Sequence, residues 1–165
     1  MPHNLIEFEG EYYPSFQAEG NAAQFILPFA KKLLSGRGFD IGCGRIEWSL
    51  PDSIPIDLHI SPGYDAFNLP DIGKVDYIFS SHCLEHLPNF YEALQYWSSL
   101  LDEEGKLFLY LPHYSQRYWR PWNNKKHLHV LDPIVLVDYL KHLGYRYVSS
   151  TGVDLNSSFS IYAVK

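Results

Sequence analysis

From Gly36 to the end of the chain, short runs of apolar residues alternate with segments whose apolar residues recur every three to four positions. Short apolar runs predict buried strands, and the longer period predicts amphipathic helices. The seven predicted strands cover residues 37–41, 54–57, 65–67, 76–80, 106–111, 145–151 and 159–164. This alternation predicts an α/β, Rossmann-like fold with a mostly parallel seven-stranded sheet and helices on both faces.

Two helices are predicted with well-defined starts. Residues 89–101 place their apolar side chains on one stripe, and residues 132–143 begin at Asp132, an N-cap residue, followed by a proline in the first turn. A third helical period begins at Asn21, where Pro28 should kink the helix or move its start.

The last predicted helix is followed by two strands with no helix between them. Consecutive strands joined by a short loop pair as an antiparallel hairpin. We therefore expect an antiparallel C-terminal strand at the edge of the sheet, which a fully parallel dinucleotide-binding sheet lacks.

The first twenty residues contain Tyr12, Tyr13 and Phe16 but show no clear period. They predict an irregular N-terminal arm or lid, residues 1–20, over a core of residues 21–165. A chain of 165 residues is long enough for one well-buried core, so we expect a single domain over residues 1–165.

Composition and charge narrow the classes of partner. The chain is 46% hydrophobic and 19% charged, as packed globular proteins are, and its net charge of -6 offers no field that attracts duplex nucleic acid. Cys43 and Cys83 follow no disulfide or zinc spacing, and the sequence shows no leader or membrane span, so we expect a cytoplasmic protein without a membrane partner. The sequence leaves a homodimer open.

The segment from Gly38 to Gly44 places two glycines, Gly42 and Gly44, at the end of the first predicted strand. A backbone without side chains can turn sharply there and approach a ligand. The next strand ends at Asp57, whose carboxylate could accept the hydroxyl protons of a ribose. The pair predicts a nucleoside site, and the alternative is an ordinary tight turn followed by a surface aspartate.

Three segments resemble a known family. Residues 40–44 read Asp-Ile-Gly-Cys-Gly and resemble motif I of class I S-adenosylmethionine-dependent methyltransferases, and residues 79–86, Phe-Ser-Ser-His-Cys-Leu-Glu-His, resemble the segment after their fourth strand. Residues 105–113 are similar to their fifth strand, and the antiparallel ending fits their sheet. The chain looks most similar to a compact methyltransferase-11-like subgroup, in which a His-x-His motif, here residues 127–129, follows the fifth strand.

The resemblance implies S-adenosyl-L-methionine as the cofactor. The residues that it implies as cofactor contacts are Asp40, Gly42, Cys43, Gly44, Asp57, Leu58, Asn68, Leu69, Ser80, Ser81 and His82. Asp57 would hold the ribose and Leu58 would flank the adenine. Asn68 stands where an aspartate is usual on the adenine side, and Asp65 competes with it for that contact.

Several of the eight histidines fall near predicted strand ends. His113, after the fifth strand, is our first candidate for a general base, and His82 is the second, because an imidazole titrates near neutral pH. A metal site built from His82, His86, His127 and His129 is the alternative. We do not predict a metal from the sequence, because the four side chains share a face only if both segments adopt particular conformations.

Aromatic and polar residues also cluster in the N-terminal arm and in residues 114–124, and such side chains suit a sugar or another planar acceptor. The predicted substrate-binding residues are Tyr13, Gln17, Asn21, Tyr118, Trp119, His127 and His129. The alternative for the loop is packing of its rings against the protein body.

We therefore expect S-adenosylmethionine-dependent methyl transfer to a small-molecule or glycan acceptor. The competing hypothesis is a non-catalytic module that binds a nucleoside or a partner and retains the methyltransferase fold. A nicotinamide oxidoreductase is disfavoured because Ile46 stands where a third glycine is common.

Overall fold

The computed structural model describes residues 4–165, whose strands form two sheets. An antiparallel hairpin near the N-terminus pairs β1 (Leu5–Phe8) with β2 (Glu11–Pro14). The main sheet contains β3 (Gly38–Ile41), β4 (Ile54–Ile56), β5 (Val75–Ser81), β6 (Leu101–Pro112), β7 (Tyr147–Ser150) and β8 (Ser158–Val164).

The main sheet has the order β4-β3-β5-β6-β8-β7. Strands β4, β3, β5 and β6 are parallel, whereas β8 is antiparallel to both β6 and β7. The α/β architecture and the antiparallel C-terminal strand are confirmed. The antiparallel strand lies one place in from the edge, which is formed by its hairpin partner β7.

The sheet has six strands, and the prediction of a seventh at residues 65–67 is wrong. Asp65 and Asn68 form only one isolated bridge, with their backbone amides and carbonyls paired at 3.1 and 3.2 Å. The Asp65 carboxylate also accepts a hydrogen bond from the Phe67 amide at 2.8 Å. These local hydrogen bonds close a turn, and a turn cannot pair along a neighbouring strand.

Four α-helices flank the strands in the described part of the chain: α1 (Ser15–Ala18), α2 (Leu27–Leu33), α3 (Phe90–Leu100) and α4 (Pro133–His142). The Asn89 side chain caps α3 by accepting from the Glu92 amide, and Asp132 caps α4 by accepting from the Ile134 amide, which confirms both predicted starts. Pro28 lies in the first turn of α2, after a 3-10 turn at Ala22–Phe25, so the proline does move the helix start. No helix within residues 4–165 combines the length and the apolar character needed to span a bilayer.

The helices cover both faces of the main sheet. Helices α3 and α4 bury Trp97 and Leu140 against strand residues such as Ile78, while α2 buries Ala30 with Phe79 and Phe108 on the other face. The parallel strands are apolar on both sides because both sides are covered. Because these strands are parallel, their carboxyl ends meet at one edge of the sheet, where the loops that follow them can form a site.

The N-terminal arm is more regular than predicted. Glu9 and Gly10 both have positive φ, 50° and 80°, which suits the tight two-residue turn of a hairpin, and β1 and β2 pair on either side of it. Tyr13 is buried, and its ring lies against Tyr118 of the loop after β6. Residues 1–3 of the predicted arm lie outside the described residues.

Candidate functional site

A cavity of about 540 Å³ opens at the carboxyl ends of β3, β4 and β5. Its wall is formed by Gly20, Ile41, Gly42, Gly44, Ile56, Asp57, Leu58, Asp65, Ala66, Phe67, His82, Cys83, His86, Leu87 and Pro88. This is the edge at which open α/β sheets bind their ligands.

The turn after β3 joins the first two strands of the site. Gly42 and Gly44 have φ values of 79° and 73°, in the left-handed region that favours glycine. The Gly42 amide donates to the Ile56 carbonyl at 2.8 Å, and the Gly44 amide donates to Asp57 Oδ2 at 3.0 Å. The glycine turn and the carboxylate are therefore parts of one hydrogen-bonded unit.

The Asp57 carboxylate is held in place from two sides. Its Oδ2 accepts from Gly44, and its Oδ1 accepts from the backbone amide of His59 at 3.2 Å. Each carboxylate oxygen has a second lone pair, so both can still accept a hydroxyl proton from a ligand in the cavity.

The structure places Asp65, and not Asn68, on the cavity wall. The Asn68 side chain donates to the Gly63 carbonyl at 2.8 Å, and Leu69 is buried in the core with its amide bound to the Tyr96 hydroxyl. Asp65 lies on the wall beside Ala66 and Phe67. The exposed side chains of Leu58 and Phe67 give this end of the cavity an apolar surface.

The other predicted cofactor residues lie behind the wall: Asp40, Cys43, Ser80 and Ser81. Asp40 Oδ2 accepts from the Ser49 hydroxyl at 3.0 Å and from the Leu50 amide at 2.7 Å, and Ser80 donates to the Ile41 carbonyl at 2.8 Å. Burial raises the pKa of Asp40 to about 7, because the charged carboxylate loses its water.

His82 faces the cavity directly after β5. Its backbone has a φ of 49°, and its amide donates to the Tyr110 carbonyl at 2.8 Å. Its Nε2 hydrogen-bonds the Ser158 hydroxyl at 3.0 Å, while its Nδ1 lies 3.5 Å from Glu85 Oε1. Burial, with His127 and His86 nearby, lowers the pKa of His82 to about 3.

The predicted substrate residues of the arm form a buried polar network with the loop after β6. The Gln17 amide donates to the Asn156 carbonyl and to the Ser158 hydroxyl, and it accepts from Gln116 Nε2 at 2.8 Å. Ser158 is also the partner of His82, so the network connects the arm to the cavity wall.

Tyr13 of the arm contacts the same loop, and Asn21 follows the arm. Tyr13 accepts from the Arg117 amide at 3.2 Å, and its ring lies 6.5 Å from that of Tyr118. Asn21 lies next to Gly20 of the cavity wall, and its buried Oδ1 has no hydrogen-bond partner among residues 4–165.

His127 and His129 pack against the segment that carries His86. His127 is buried, stacks on Trp119 at 4.9 Å and meets the ring of His86 edge-on at 4.6 Å. Burial lowers the pKa of His127 to about 3. His129 Nε2 hydrogen-bonds the Leu87 carbonyl at 2.8 Å.

The structure does not place His113 on the wall of the large cavity. His113 lines a much smaller depression, together with Trp119, His127 and His129. Its Nδ1 hydrogen-bonds the Ser115 hydroxyl at 2.8 Å, and its ring lies 6.0 Å from Phe159. Burial lowers its pKa. His113 and His82 are therefore candidates for two different sites.

Sequence reasoning missed part of the cavity wall. Gly20, Phe67, Leu87 and Pro88 gave no signal of their own, because no motif marks a ligand-facing apolar residue in a loop. Glu85 was also missed, although the spacing His-x-x-Glu-His at residues 82–86 places two imidazoles next to a carboxylate.

Solved structures with similar folds are methyltransferases. A protein from Thermotoga maritima, described as a SAM-dependent methyltransferase, has a TM-score of 0.69 at 18% identity over 91% of this chain and 92% of its own. The 1,6-didemethyltoxoflavin-N1-methyltransferase of Burkholderia thailandensis, solved with its substrate and S-adenosylhomocysteine, has a TM-score of 0.65 at 15% identity over 92% of this chain and 84% of its own. The N-methyltransferase NodS of Bradyrhizobium japonicum, solved with S-adenosylhomocysteine, has a TM-score of 0.61 at 14% identity over 90% and 87%.

The sequence itself matches a family model. No curated protein sequence matches the chain. The model described as a methyltransferase domain matches residues 16–150, which include the glycine turn, Asp57 and the segment after β5. Because that match spans most of the chain and the fold agrees with it, the chain belongs to the class I methyltransferases.

Proposed function

We propose that this protein transfers a methyl group from S-adenosylmethionine to a small acceptor molecule or a sugar of a glycan. The observation that carries the proposal is the cavity of about 540 Å³ with the oriented Asp57 carboxylate on its wall. Cavities of roughly 300–1,000 Å³ are of the size that encloses a ligand such as a nucleoside cofactor.

The wall offers a contact for each part of the cofactor. Gly42 and Gly44 leave open backbone for its amino-acid end, and Asp57 can accept the ribose hydroxyls. Leu58 and Phe67 offer apolar surface for the adenine, with Asp65 as an acceptor beside them. The Burkholderia and Bradyrhizobium proteins, which share the fold, are solved with S-adenosylhomocysteine, and this supports the same ligand here.

When bound, the cofactor supplies an electrophilic methyl group on its sulfonium. The protein then has to orient the acceptor atom in line with that methyl and exclude water. We assign the orienting role to His82, because it lines the cavity and its ring is fixed by the hydrogen bond to Ser158. His113 remains a base candidate only for an acceptor that extends into the smaller depression.

A small acceptor is supported by the relatives and by the arm. The Burkholderia protein acts on 1,6-didemethyltoxoflavin, a small molecule. Here the arm and the loop after β6 meet through Tyr13 and Tyr118, and Gly20, the last residue of the arm, lines the cavity wall. We propose that these two segments limit the size of the acceptor.

The proposal is tested by thermal unfolding with and without ligand. A ligand at about a hundredfold its Kd stabilises the folded state by about 2.7 kcal/mol, which is roughly 5–10 °C in Tm for a chain of this size. We expect such a rise with S-adenosylmethionine and S-adenosylhomocysteine and none with a nicotinamide dinucleotide. The opposite pattern would contradict the assignment, and binding without turnover of any acceptor would support the non-catalytic module.

The contact with Asp57 is tested by calorimetry of S-adenosylhomocysteine binding. Asp57→Ala removes a charge-assisted hydrogen bond worth roughly 1.5–3 kcal/mol, so the affinity should fall about tenfold to a hundredfold. The matched control is Asp71→Ala, which removes an exposed carboxylate away from the cavity wall and should leave the affinity unchanged. Equal affinity in Asp57→Ala and the wild type would remove this residue from the site.

A further inference from the structure

Glu85 is a fully buried carboxyl group with no hydrogen-bond partner for either oxygen among residues 4–165. It lies on the 3-10 turn Leu84–His86, directly after the segment that lines the cavity. Burying a carboxylate without hydrogen bonds is costly, and buried charges are normally paired or bound to a metal ion. We therefore expect the Glu85 carboxyl group to bind a partner.

Three imidazoles face this carboxyl group, and the first is His82, whose Nδ1 lies 3.5 Å from Glu85 Oε1 and whose Nε2 is bound to the Ser158 hydroxyl. His86 Nε2 lies 3.9 Å from Glu85 Oε1, and His127 is 4% exposed with a buried Nδ1 that lacks a hydrogen-bond partner in the described chain. One ligand atom from each of Glu85, His86 and His127 lies within 4.8 Å of the others. Three donors at this spacing can converge on one ion.

The backbone holds these side chains in position. His86 Nδ1 hydrogen-bonds the Lys126 carbonyl at 2.6 Å, which fixes the proton on Nδ1 and leaves Nε2 free as a lone-pair donor. A carbonyl that accepts from the second ring nitrogen is the usual support of a metal-bound histidine. The Leu128 amide donates to the Glu85 carbonyl at 2.8 Å, so the loop that carries His127 is tied to the turn that carries the other two donors.

We propose that Glu85, His86 and His127 bind a divalent transition-metal ion, with Zn²⁺ as the first choice. Two imidazoles and one carboxylate form a three-residue zinc donor set that leaves a fourth position open. His86 is partly exposed and also lines the large cavity, so the open position can be reached by an oxygen or nitrogen atom of a ligand there. The site thus favours an acceptor that carries a metal-binding atom.

This proposal departs from the expectation drawn from the sequence. The four-histidine set considered there does not form: within residues 4–165 the donor atoms that come together belong to Glu85, His86 and His127, without His82 and His129. The structure supplies Glu85 as the donor that the sequence analysis left out. Metal binding at this site does not depend on methyl transfer, so the two proposals can fail separately.

The test is a titration of Zn²⁺ into tag-free protein that has been stripped with a chelator and dialysed. We expect one equivalent to bind in calorimetry, and we expect Glu85→Gln and His127→Ala each to weaken binding at least a hundredfold. Glu85→Gln keeps the shape of the side chain and removes its charge. If Glu85 were only a neutral structural residue, this substitution would leave the stability of the protein unchanged. The matched control is His142→Ala, which removes an exposed histidine on α4 and should bind as the wild type does.

Circular dichroism establishes whether the variants fold. If the buried-site variants do not, His86→Ala decides the question, because 38% of its side chain is exposed and its loss should be tolerated. The proposal is overturned if the wild type shows no saturable Zn²⁺ binding, or if the folded variants bind Zn²⁺ as tightly as the wild type does. The second result would assign the ion to other donors.

Discussion

Three of the carboxyl groups near the cavity end of the sheet have surroundings that give them different properties. Asp57 is partly exposed and accepts backbone hydrogen bonds at both oxygens, so it is held in place and is accessible to a ligand. Asp40 is buried behind the wall with two donors on one oxygen and none on the other among the described residues. Glu85 is buried with neither oxygen hydrogen-bonded, and burial raises its pKa to about 7. The same chemical group thus lies in three environments that differ in solvation.

Asp40 predicts a pH dependence of stability. Burial raises its pKa from 3.8 to about 7, with the charge of Asp57 adding to the effect, so the folded state holds the proton more tightly than the unfolded state. The stability that this proton contributes is complete below about pH 4 and is lost as the pH rises towards 7. Asp40→Asn cannot ionise and should therefore gain Tm relative to the wild type as the pH increases.

The measurement is the difference in Tm between Asp40→Asn and the wild type from about pH 4.5 to about pH 8.5. The contributions of the other titrating groups are the same in both proteins and cancel in this difference to first order. We expect the difference to become more positive across this range by a few degrees. Asp76→Asn is the control, because Asp76 is an exposed aspartate that accepts from the Arg37 amide. A difference for Asp40→Asn that does not change with pH would mean that the Asp40 carboxylate is ionised throughout.

At the scale of an element, the turn after β3 depends on glycine for two separate reasons. A Cβ at Gly42 would lie 2.5 Å from Cys83 Sγ, and the φ of 79° disfavours any side chain. A left-handed non-glycine residue costs about 1–2 kcal/mol, and overpacking typically adds about 1–3 kcal/mol. Gly42→Ala should therefore lower the free energy of unfolding by roughly 2–5 kcal/mol in urea denaturation.

The two causes can be separated by a matched glycine. Gly63 has a φ of 83°, and a Cβ there would meet nothing within 4 Å, so Gly63→Ala carries the conformational cost without the clash. We expect Gly63→Ala to lose only about 1–2 kcal/mol. If both variants lose the same stability, Cys83 can move to make room for the added Cβ, and the clash is not the reason why position 42 requires glycine.

The elements that the sequence predicted correctly are those with local signals. A cap residue and an apolar stripe mark helices α3 and α4 in the sequence, and Asn89 and Asp132 do cap them. The strand predicted at residues 65–67 is wrong, because Asp65 bonds its own backbone and turns the chain. The β1–β2 hairpin was missed because its strands are four residues each and only Tyr13 and Pro14 among them are buried, so they show little apolar alternation.

In the candidate site too, the residues that follow local motifs were predicted and the contacts between distant segments were not. Gly42, Gly44, Asp57 and His82 were predicted from motifs that follow strand ends, and all of them lie on the cavity wall. Asp40 and Ser80 were predicted by the same motifs, yet they lie behind the wall, because successive residues of a strand point to opposite faces. The association of Glu85 with His127 could not be predicted, since it depends on how a loop 42 residues away folds back.

At the scale of the whole molecule, the N-terminal arm and the C-terminal hairpin meet beneath the loop after β6. Gln17 from the arm binds Asn156 and Ser158 near the start of β8, and it also binds Gln116 from the loop. Ser158 in turn holds His82 on the cavity wall. Segments from the two ends of the chain are therefore connected to the candidate site through one buried side chain.

This connection predicts the effect of Gln17→Leu. Leucine preserves much of the volume but removes the hydrogen bonds of Gln17 with Gln116 Nε2, the Asn156 carbonyl and the Ser158 hydroxyl. Gln116 Nε2 and the Asn156 carbonyl keep only a longer bond to each other at 3.4 Å, and the loss of a hydrogen bond costs about 0.5–1.5 kcal/mol. We expect a loss of stability of that size and faster amide hydrogen exchange in β1, β2 and the loop after β6, because the arm loses its buried anchor. Gln95→Leu, an exposed site on α3, is the matched control and should change neither quantity. If Gln17→Leu exchanges at the wild-type rate, the aromatic contacts of Tyr13 and Phe8 with Tyr118 are sufficient to hold the arm, and the polar network is not its anchor.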